Sequence, residues 1–246
     1  MIQLEDVSVR YRAPQERVGT FKEYAIRRLQ RRVRFNDFLA LSGISLEIRR
    51  GEIFGIIGRN GAGKSTLLKV ISRVLVPTGG RVRLRGRVAP LLELGAGFHP
   101  ELTGRENIFL NGTLLGHSNR DLRSRLESIV EFAELGGFID APLRTYSTGM
   151  AARLGFSVAT AWQPEVLLLD EVLAVGDTAF QEKCYSRMKA YRKSGTTTIM
   201  VSHSMDNVRK LCGRAAWLDH GKIMSIGEAK QVVSDYQARQ RASTVR

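Results

Sequence analysis

The sequence contains little cysteine and no long apolar run, and both absences exclude classes of protein. Its two cysteines, Cys184 and Cys212, stand alone in segments with helical character, so their spacing indicates neither a disulfide framework nor a zinc site. No apolar run approaches the roughly 18 residues that a membrane-spanning helix needs. The first ten residues lack the apolar segment of a signal peptide, so we expect a cytoplasmic protein.

Acidic residues are also few, since 24 Asp and Glu stand against 38 Lys and Arg in 246 residues, a formal net charge of +14. Such a charge favours anionic partners, among them nucleotides, nucleic acids and acidic lipid surfaces, and it says nothing about the fold. With 43% hydrophobic residues, the chain is able to bury the core of one large domain. We therefore expect a single domain that spans residues 1–246.

Short apolar runs alternate with segments of helical periodicity along most of the chain. Three continuous runs have the form of buried parallel strands: 53–58, 166–170 and 196–203. Three helical segments lie around them: 64–75, 121–135 and 179–195. Strands separated by helices imply an α/β fold with a parallel sheet.

The remaining strand signals predict antiparallel structure. Residues 2–11 alternate imperfectly between apolar and polar side chains, which predicts a strand with a bulge. Residues 81–92 and 214–227 read as hairpins, and His220 and Gly221 lie at the turn of the second. We therefore expect antiparallel strands beside the parallel sheet.

GRNGAGKST, residues 58–66, is the first stretch with recognisable chemistry. It satisfies the G-x-x-x-x-G-K-[ST] pattern between an apolar strand and a helix, and this context makes a chance match in a tight turn the poorer interpretation. In such a loop backbone N–H groups close around phosphates, Lys64 reaches the β- and γ-phosphates, and Ser65 ligates Mg²⁺. The predicted nucleotide-binding residues are Gly58, Asn60, Gly61, Gly63, Lys64, Ser65 and Thr66.

VLLLDE, residues 166–171, predicts the catalytic edge of the sheet. A buried strand brings Asp170 to its carboxyl end, where ligands bind in open α/β sheets and a carboxylate can hold Mg²⁺. Glu171 follows directly, and adjacent carboxylates are costly unless a cation or a proton-transfer role stabilises them. We predict Asp170 as a metal ligand and Glu171 as the general base for the attacking water. A pair of acids capping a helix is the alternative interpretation.

Three further motifs give the chain a family resemblance: YSTGM at 146–150, AVGD at 174–177 and SH at 202–203. Their order and spacing after the phosphate loop are similar to those of ABC-transporter ATPase subunits, over roughly residues 1–235. The resemblance implies a P-loop NTPase of the ABC type with a RecA-like parallel-sheet core, an antiparallel β-subdomain and an α-helical signature subdomain at residues 99–160. YSTGM matches the family signature LSGGQ at its second and fourth positions.

The resemblance also implies a head-to-tail homodimer with two ATP molecules at its interface. Each ATP would contact the phosphate loop of one subunit and Ser147 and Gly149 of the other. Asp177, in the stretch that matches the D-loop, would lie at the same interface. His203 would contact the γ-phosphate and orient the water together with Glu171.

Two more site residues follow from the resemblance. Tyr11 matches the aromatic residue that stacks on adenine in this family, although a tyrosine in a strand is also an ordinary core residue. The family usually has a glutamine that touches Mg²⁺ on a loop after the antiparallel region. No glutamine occurs between residues 88 and 107, and Glu93 or Leu94 falls near the expected position. Glu93 is therefore the candidate metal ligand there.

LLELGAGFHPELTGREN, with YSTGM and VLAVGD, narrows the resemblance to ATPase subunits that export bacterial O-antigen, capsule and teichoic acid. This implies an ATP-hydrolysing, Mg²⁺-dependent motor that exports a lipid-linked polysaccharide beside a polytopic permease. The expected location is the inner face of the cell membrane. The alternative is a soluble ABC-type ATPase that acts on nucleic acid or ribosomes. We expect no nucleic-acid partner, because the chain has neither two cassettes nor long coiled coils, and the absence of N-K-x-D disfavours a GTPase.

Residues 12–36 form an insertion where most ABC ATPases have a short connection. On a helical wheel, apolar residues recur every four positions and arginines fall opposite them. We interpret 19–35 as a basic amphipathic helix that faces the membrane, the permease or the anionic end of the glycan; a solvated helix over the protein's own sheet is the alternative. Residues 236–246 are expected to form a basic tail. The apolar and basic positions are Phe21, Ala25, Leu29 and Val33, and Arg27, Arg31 and Arg34.

Overall fold

The computed structural model describes residues 2–14, 35–91, 95–170, 176–202 and 204–244, and the structural statements below concern these ranges. The strands are β1 (Ile2–Pro14), β2 (Phe35–Ile48), β3 (Ile53–Ile57), β4 (Gly79–Leu84), β5 (Val88–Leu91), β6 (Val166–Asp170), β7 (Thr197–Val201), β8 (Arg214–Asp219) and β9 (Lys222–Glu228). The α-helices are α1 (Lys64–Ile71), α2 (Gly104–Leu114), α3 (Asn119–Ala133), α4 (Thr148–Ala159), α5 (Thr178–Lys193), α6 (Met205–Leu211) and α7 (Ala229–Thr244). Short 3-10 helices occupy Gly136–Asp140 and Leu143–Thr145.

Six strands form the central sheet in the order β5-β6-β7-β3-β8-β9. Neighbouring strands from β5 to β8 are parallel, and β9 is antiparallel to β8. The strands β3 and β6 are apolar up to their functional ends, as expected where both faces of a sheet are covered, and β7 adds two buried threonines, Thr197 and Thr198. Ile56 packs in a core with α1 and the strands β1 and β2, whereas Ile57 packs in a second core with α5, α6 and α7. The predicted parallel sheet is therefore confirmed.

A second sheet, in the order β2-β1-β4, is antiparallel and packs on one face of the central sheet. The bulge expected in β1 is present, since the register with β2 shifts beside Asp6, whose φ is +50°. The β1–β2 pairing continues to Pro14 opposite Phe35. The ends of the predicted insertion at 12–36 are thus strand residues, and residues 15–34, which carry almost all of the predicted amphipathic helix, lie outside the described residues.

The predicted hairpin at 81–92 is wrong. β4 pairs with β1 in the antiparallel sheet, whereas β5 runs parallel to β6 in the central sheet. The chain crosses between the sheets at Gly86, whose φ is +108°, and the side chain of Glu165 accepts a hydrogen bond from the Arg87 N–H at 3.3 Å. β4 alternates charged and apolar residues, while VAPL is a continuous apolar run of the kind found in parallel strands.

The hairpin predicted at 214–227 is confirmed, because β8 and β9 pair antiparallel around His220 (φ +44°) and Gly221 (φ +73°). The first predicted helix is shorter than expected. α1 ends at Ile71 because Arg73 adopts a left-handed conformation, with φ +62°, and the Leu75 N–H bonds the Lys69 carbonyl at 3.0 Å. None of the described helices has the length and apolarity required to cross a bilayer.

Helices α2, α3 and α4 form a helical segment between β5 and β6 with a core of its own, which includes Ile108, Ile129 and Leu154. Capping boxes start α2 at Thr103 and α3 at Ser118. This segment corresponds to the α-helical signature subdomain of the predicted fold class. Its separate core means that it packs as a unit beside the central sheet.

The fully buried Asn107 of α2 holds the loop that precedes this helix. Its amide nitrogen donates to the carbonyls of His99, Leu102 and Thr103 at 2.9–3.1 Å, and its oxygen accepts from the His99 N–H at 2.7 Å. The bond from the His99 N–H satisfies that donor, and the three carbonyls also accept backbone N–H groups, from Leu102, Leu143 and Asn107 itself. The bonds of Asn107 explain why the stretch GFHPELTGREN folds as one piece.

We expect Asn107→Ala to lower the free energy of unfolding by about 2 kcal/mol, because it removes four hydrogen bonds of a fully buried side chain and leaves the His99 N–H without its partner. Urea denaturation followed by circular dichroism measures the change. Asn119→Ala, at an exposed position of α3, is the matched control and should change stability by less than about 0.5 kcal/mol. Equal effects of the two substitutions would contradict the assigned role of Asn107.

Candidate nucleotide-binding site

The loop between β3 and α1 is held against two neighbouring strands by contacts that only glycine allows. A Cβ at Gly58 would collide with the Leu218 carbonyl oxygen of β8. A Cβ at Gly63, where φ is +102°, would lie 2.7 Å from the Ala40 carbonyl oxygen of β2. Gly61 has φ +78° and open space around it, so its need for glycine is conformational. The loop therefore has a fixed shape before any ligand binds.

The β8–β9 turn supports the same loop from behind. The Gly221 N–H donates to the Ala62 carbonyl at 2.9 Å, and the Gly221 carbonyl accepts from the Ser42 N–H at 2.8 Å. A Cβ at Gly221 would lie 2.6 Å from the Ala40 carbonyl oxygen. The turn, β2 and the phosphate loop are thus joined by backbone hydrogen bonds and close backbone contacts.

Lys64 opens α1 and folds back over the loop. Its ammonium group donates to the carbonyls of Gly58 at 2.9 Å and Arg59 at 3.0 Å, and the residue is buried. The N-cap of α1 is Gly63, and no described side chain caps this helix. The N–H groups of its first turn, where Ser65 is exposed, present the positive end of the helix dipole to the space before the loop. Such a terminus binds phosphate.

The carboxyl ends of the parallel strands bring Asp170 to the same edge of the sheet as Gly58. Asp170 ends β6 opposite Val201 of β7, and β7 lies next to β3. The ends of β6 and β3 are therefore two strand spacings apart, about 10 Å. β5 also ends at this edge, with Leu91 opposite Leu169. The strand order thus places the phosphate loop and the predicted metal ligand at one edge.

Three predicted site residues lie outside the described residues: Glu93, Glu171 and His203. Each follows by one or two positions a strand that ends at the edge just described. Their predicted roles, and those of the other site residues, remain predictions.

The signature stretch begins a helix, as its sequence predicts. Ser147 is the exposed N-cap of α4, and its Oγ accepts a hydrogen bond from the Met150 N–H at 3.2 Å. Gly149 lies in the first turn. Tyr146, where the family consensus has leucine, donates its hydroxyl to the Phe138 carbonyl at 2.6 Å, and burial raises the pKa of that hydroxyl. Tyr146 therefore ties the motif to the 3-10 helix at Gly136–Asp140.

Asp177 caps the next helix. One carboxylate oxygen accepts from the Phe180 N–H at 2.9 Å, and the other lies 2.6 Å from the guanidinium of Arg153 on α4. These two contacts, the Phe180 N–H foremost, lower the pKa of the Asp177 carboxyl. Arg153 belongs to none of the motifs named above, and only the fold brings it to Asp177.

Tyr11 lies on β1 beyond the buried Val7 and Val9, and it is 41% exposed. Its cross-strand partner in β2 is Phe38, which is 63% exposed. Cross-strand partners project to the same face of a sheet, so the two aromatic side chains are neighbours. Ala40, two residues after Phe38, touches the phosphate loop. No sequence motif singles out Phe38, because its pairing with Tyr11 depends on the register of β1 and β2.

A phosphate-binding loop, an acidic strand end at the same sheet edge and a helical segment inserted between β5 and β6 define a P-loop ATPase of the ABC type. The family model for ABC transporters matches residues 41–174. The chain belongs to the ABC transporter family.

Curated relatives fall in the exporter branch that the sequence resembles. The O-antigen export system ATP-binding protein RfbB of Klebsiella pneumoniae is 50% identical over 200 residues, 81% of each chain. The ABC transporter protein AbcA of Aeromonas salmonicida is 53% identical over 199 residues, 81% of this chain and 65% of that one. The teichoic acids export ATP-binding protein TagH of Enterococcus faecalis is 44% identical over 82% of this chain and 45% of its own length. The chain thus spans less than two thirds of AbcA and TagH.

Solved structures confirm the predicted fold class. The ATP-binding cassette MJ0796, a dimer in a post-hydrolysis state with ADP and phosphate, superposes with a TM-score of 0.72 at 23% identity, over 93% of this chain and 99% of that chain. An ATP-binding subunit of an ABC transporter gives a TM-score of 0.74 at 20% identity, over 96% of this chain and 93% of that one. At such identities the likeness concerns the fold.

We expect Lys64→Ala to raise the Kd for ATP by about 10- to 100-fold, because it removes a charge-assisted hydrogen bond to the phosphates and loosens the loop. Isothermal titration calorimetry measures the affinity, and a melting curve shows whether the variant is folded. Lys69→Ala, at an exposed position of the same helix, should leave the affinity unchanged. An unaltered Kd in the folded Lys64→Ala variant would count against the phosphate-loop assignment.

Proposed function

We propose that the chain is the ATP-hydrolysing motor subunit of a transporter that exports a lipid-linked cell-surface polysaccharide of the O-antigen, capsule or teichoic-acid type. The observation that carries this proposal is a phosphate loop and an acidic strand end on one sheet edge, in a chain 50% identical to an O-antigen export protein. The protein would act on the inner face of the cell membrane beside a polytopic permease. The export specificity is supported by the relatives and not by the geometry of the site.

ATP binding would depend on the loop and on the first turn of α1. The uncapped N–H groups and Lys64 neutralise the phosphates, and Asn60, Gly61, Ser65 and Thr66 line the side open to solvent or partly open to it. Tyr11 and Phe38 supply an aromatic surface for the adenine base. The fixed shape of the loop means that little conformational entropy is lost on binding.

The site fits a Mg²⁺ ion bound with the nucleotide. Ser65 is exposed in the first turn of α1, and Asp170 ends a strand at the same edge; hydroxyl and carboxylate oxygens are ligands that Mg²⁺ prefers. Glu93, two residues after β5, is a further proposed ligand. A bound ion supplies charge neutralisation at the phosphate oxygens.

Hydrolysis would need no covalent enzyme intermediate. Glu171 accepts a proton from water, the water oxygen forms a bond to the γ-phosphorus, and the bond from phosphorus to the ADP oxygen breaks. His203 orients the water and contacts the γ-phosphate. Catalysis then comes from positioning and from charge neutralisation by Lys64 and the helix dipole.

Each site would be completed by a second copy of the chain, bound head to tail. Ser147 and Gly149 of one subunit would cap the γ-phosphate held by the other. The Ser147 oxygen accepts from the Met150 N–H, so its hydroxyl proton is available to donate to a phosphate. Its exposure at the positive end of α4 suits contact with an anion.

The insertion at 12–36 would connect the motor to its membrane partner. Its two ends are paired strands, so residues 19–35 are attached to the rigid antiparallel sheet. A basic amphipathic helix there would meet the permease or the anionic end of the lipid-linked glycan. The basic tail at 236–246 adds positive charge to the chain.

We expect Glu171→Gln to bind ATP but to hydrolyse it at least about 100-fold more slowly, because the attacking water loses its base. Blocked hydrolysis should accumulate an ATP-dependent dimer, which size-exclusion chromatography with light scattering detects. Ser147→Arg in the same background is the control that blocks the cap and keeps the sample monomeric. Appreciable turnover by Glu171→Gln would dismiss Glu171 as the base, and a strictly monomeric sample even beside the permease would dismiss the dimer.

Charge reversal of Arg27, Arg31 and Arg34 to Glu should abolish most polysaccharide export while basal ATP hydrolysis stays within about twofold, because none of these arginines is among the predicted nucleotide-binding residues. Cell-surface glycan staining and phosphate release measure the two activities. Arg120→Glu with Arg123→Glu, at exposed positions of α3, is the control. Intact export would refute a role for the insertion, and salt-sensitive copurification with nucleic acid would favour the alternative function.

A further inference from the structure

Charged side chains from three helices meet beside the signature helix, and we name this group the junction cluster: Arg153 of α4, Asp177 at the start of α5, Glu134 at the end of α3 and Lys183 of α5. Arg153 lies 2.6 Å from Asp177 and 3.8 Å from Glu134. Lys183 lies 2.7 Å from the other oxygen of Glu134. The cluster thus ties the helical segment to α5, the first helix after β6 in the described part of the chain.

Arg153 is held in one position by its surroundings. Its side chain is only 18% exposed, and its guanidinium lies 4.9 Å from the centre of the Phe180 ring. A Cβ at Gly176, where φ is +73°, would lie 3.1 Å from the Arg153 Nε, so glycine permits this close approach. Exposed ion pairs contribute little, but a packed guanidinium on an aromatic ring loses less entropy when it forms one.

Asp177 is equally constrained. One of its oxygens caps α5 through the Phe180 N–H, and the other faces Arg153. The carboxylate is therefore fixed both to its own helix and to α4. Moving it relative to α4 would break the charge-assisted bond to Arg153 or the cap of α5.

Ser147 and Arg153 lie on the same helix. Arg153 lies six positions after the N-cap Ser147, an axial distance of about 9 Å, and the helix between them is a rigid connection. Along the chain, Ser147 and Asp177 are separated by α4 and β6. Through space they are connected more directly, by the first turns of α4 and the ion pair between Arg153 and Asp177. A displacement of the N-terminus of α4 is thus transmitted directly to Asp177.

We propose that Arg153 is a positioning residue that holds Asp177 in a fixed place relative to Ser147, so that both groups engage the partner subunit's nucleotide as one unit. This inference rests on the head-to-tail dimer of the proposed function. Arg153 itself touches neither nucleotide nor water. Its contribution is that Ser147 of the signature stretch and Asp177 of the D-loop stretch make their contacts at the same time.

Three substitutions separate positioning from simple loss of folding. Arg153→Met removes the charge and keeps an apolar stem against Phe180. Asp177→Asn removes the other charge but keeps a good N-cap for α5. Arg153→Lys restores a cation. The matched control is Arg105→Met, which breaks an Arg–Asp pair of 2.8 Å in the same helical segment, away from the junction cluster.

We expect Arg153→Met and Asp177→Asn each to lower kcat by about 10-fold with the KM for ATP within about twofold, since each subunit's own phosphate loop is intact. The double variant should be no slower than either single one, because both substitutions break the same link. Arg153→Lys should recover part of the lost kcat, and Arg105→Met should have the kcat of the unsubstituted protein. A double variant about 100-fold slower, or an equal loss in Arg105→Met, would overturn the proposal.

A second readout keeps this inference distinct from the dimer on which it rests. In the Glu171→Gln background, ATP-dependent dimerisation is measured by sedimentation equilibrium with and without Arg153→Met. We expect Arg153→Met to raise the dimer Kd by about 10-fold. If the parent dimerises and both this Kd and kcat are unchanged by Arg153→Met, the positioning role is lost while the proposed function stands. If the parent stays monomeric, the dimer fails and the positioning role fails with it.

Discussion

Backbone contact between the phosphate loop and the strands β2 and β8 is the constraint on which the rest of the site depends. Gly58 meets the Leu218 carbonyl and Gly63 meets the Ala40 carbonyl at separations that any side chain would prevent. Because β8 and β2 hold the loop at both of its ends, the orientation of the first turn of α1 is fixed. Lys64 reinforces this by bonding two loop carbonyls. The anion-binding end of the helix is therefore preorganised, so reorganisation on binding costs little free energy.

The parallel strand order extends the same constraint to the sheet edge where β6 ends at Asp170. β7 separates β6 from β3, so an acidic strand end stands at a set distance from the phosphate loop. Alternate residues of the strands pack into separate cores on the two faces, and α5 and α1 lie on opposite sides of the sheet. Helices on both faces thus hold the edge in place, and a displacement of these helices would also move the ends of the strands.

Contiguous motifs made much of this predictable. A strand buried on both faces lacks the alternation of a half-exposed strand, so it appears in the sequence as a continuous apolar run. Where such a run ends in GRNGAGKST or in DE, the sequence predicts both the strand and its functional end. Pairing partners are a different matter. Residues 81–92 have a strand-like stretch on each side of Gly86, as a hairpin has, yet β4 pairs with β1 and β5 with β6. Which strands pair is decided by the long-range packing of two sheets, and no local pattern encodes that choice.

The same distinction separates the site residues that the sequence reveals from those that it does not. Ser147 and Asp177 sit in short motifs and begin helices, so their residue type and position suffice to single them out. Phe38 becomes a candidate only through its register with Tyr11, and Arg153 only through a tertiary ion pair with Asp177. In the proposed site, Phe38 would orient Tyr11 and Arg153 would orient Asp177. Motifs therefore identify the residues predicted to contact the nucleotide, whereas the fold decides which neighbours hold those residues in place. In the proposed site shared between two subunits, these neighbours would govern whether the two contacts form together, because both groups must reach the partner's nucleotide in the same position relative to each other.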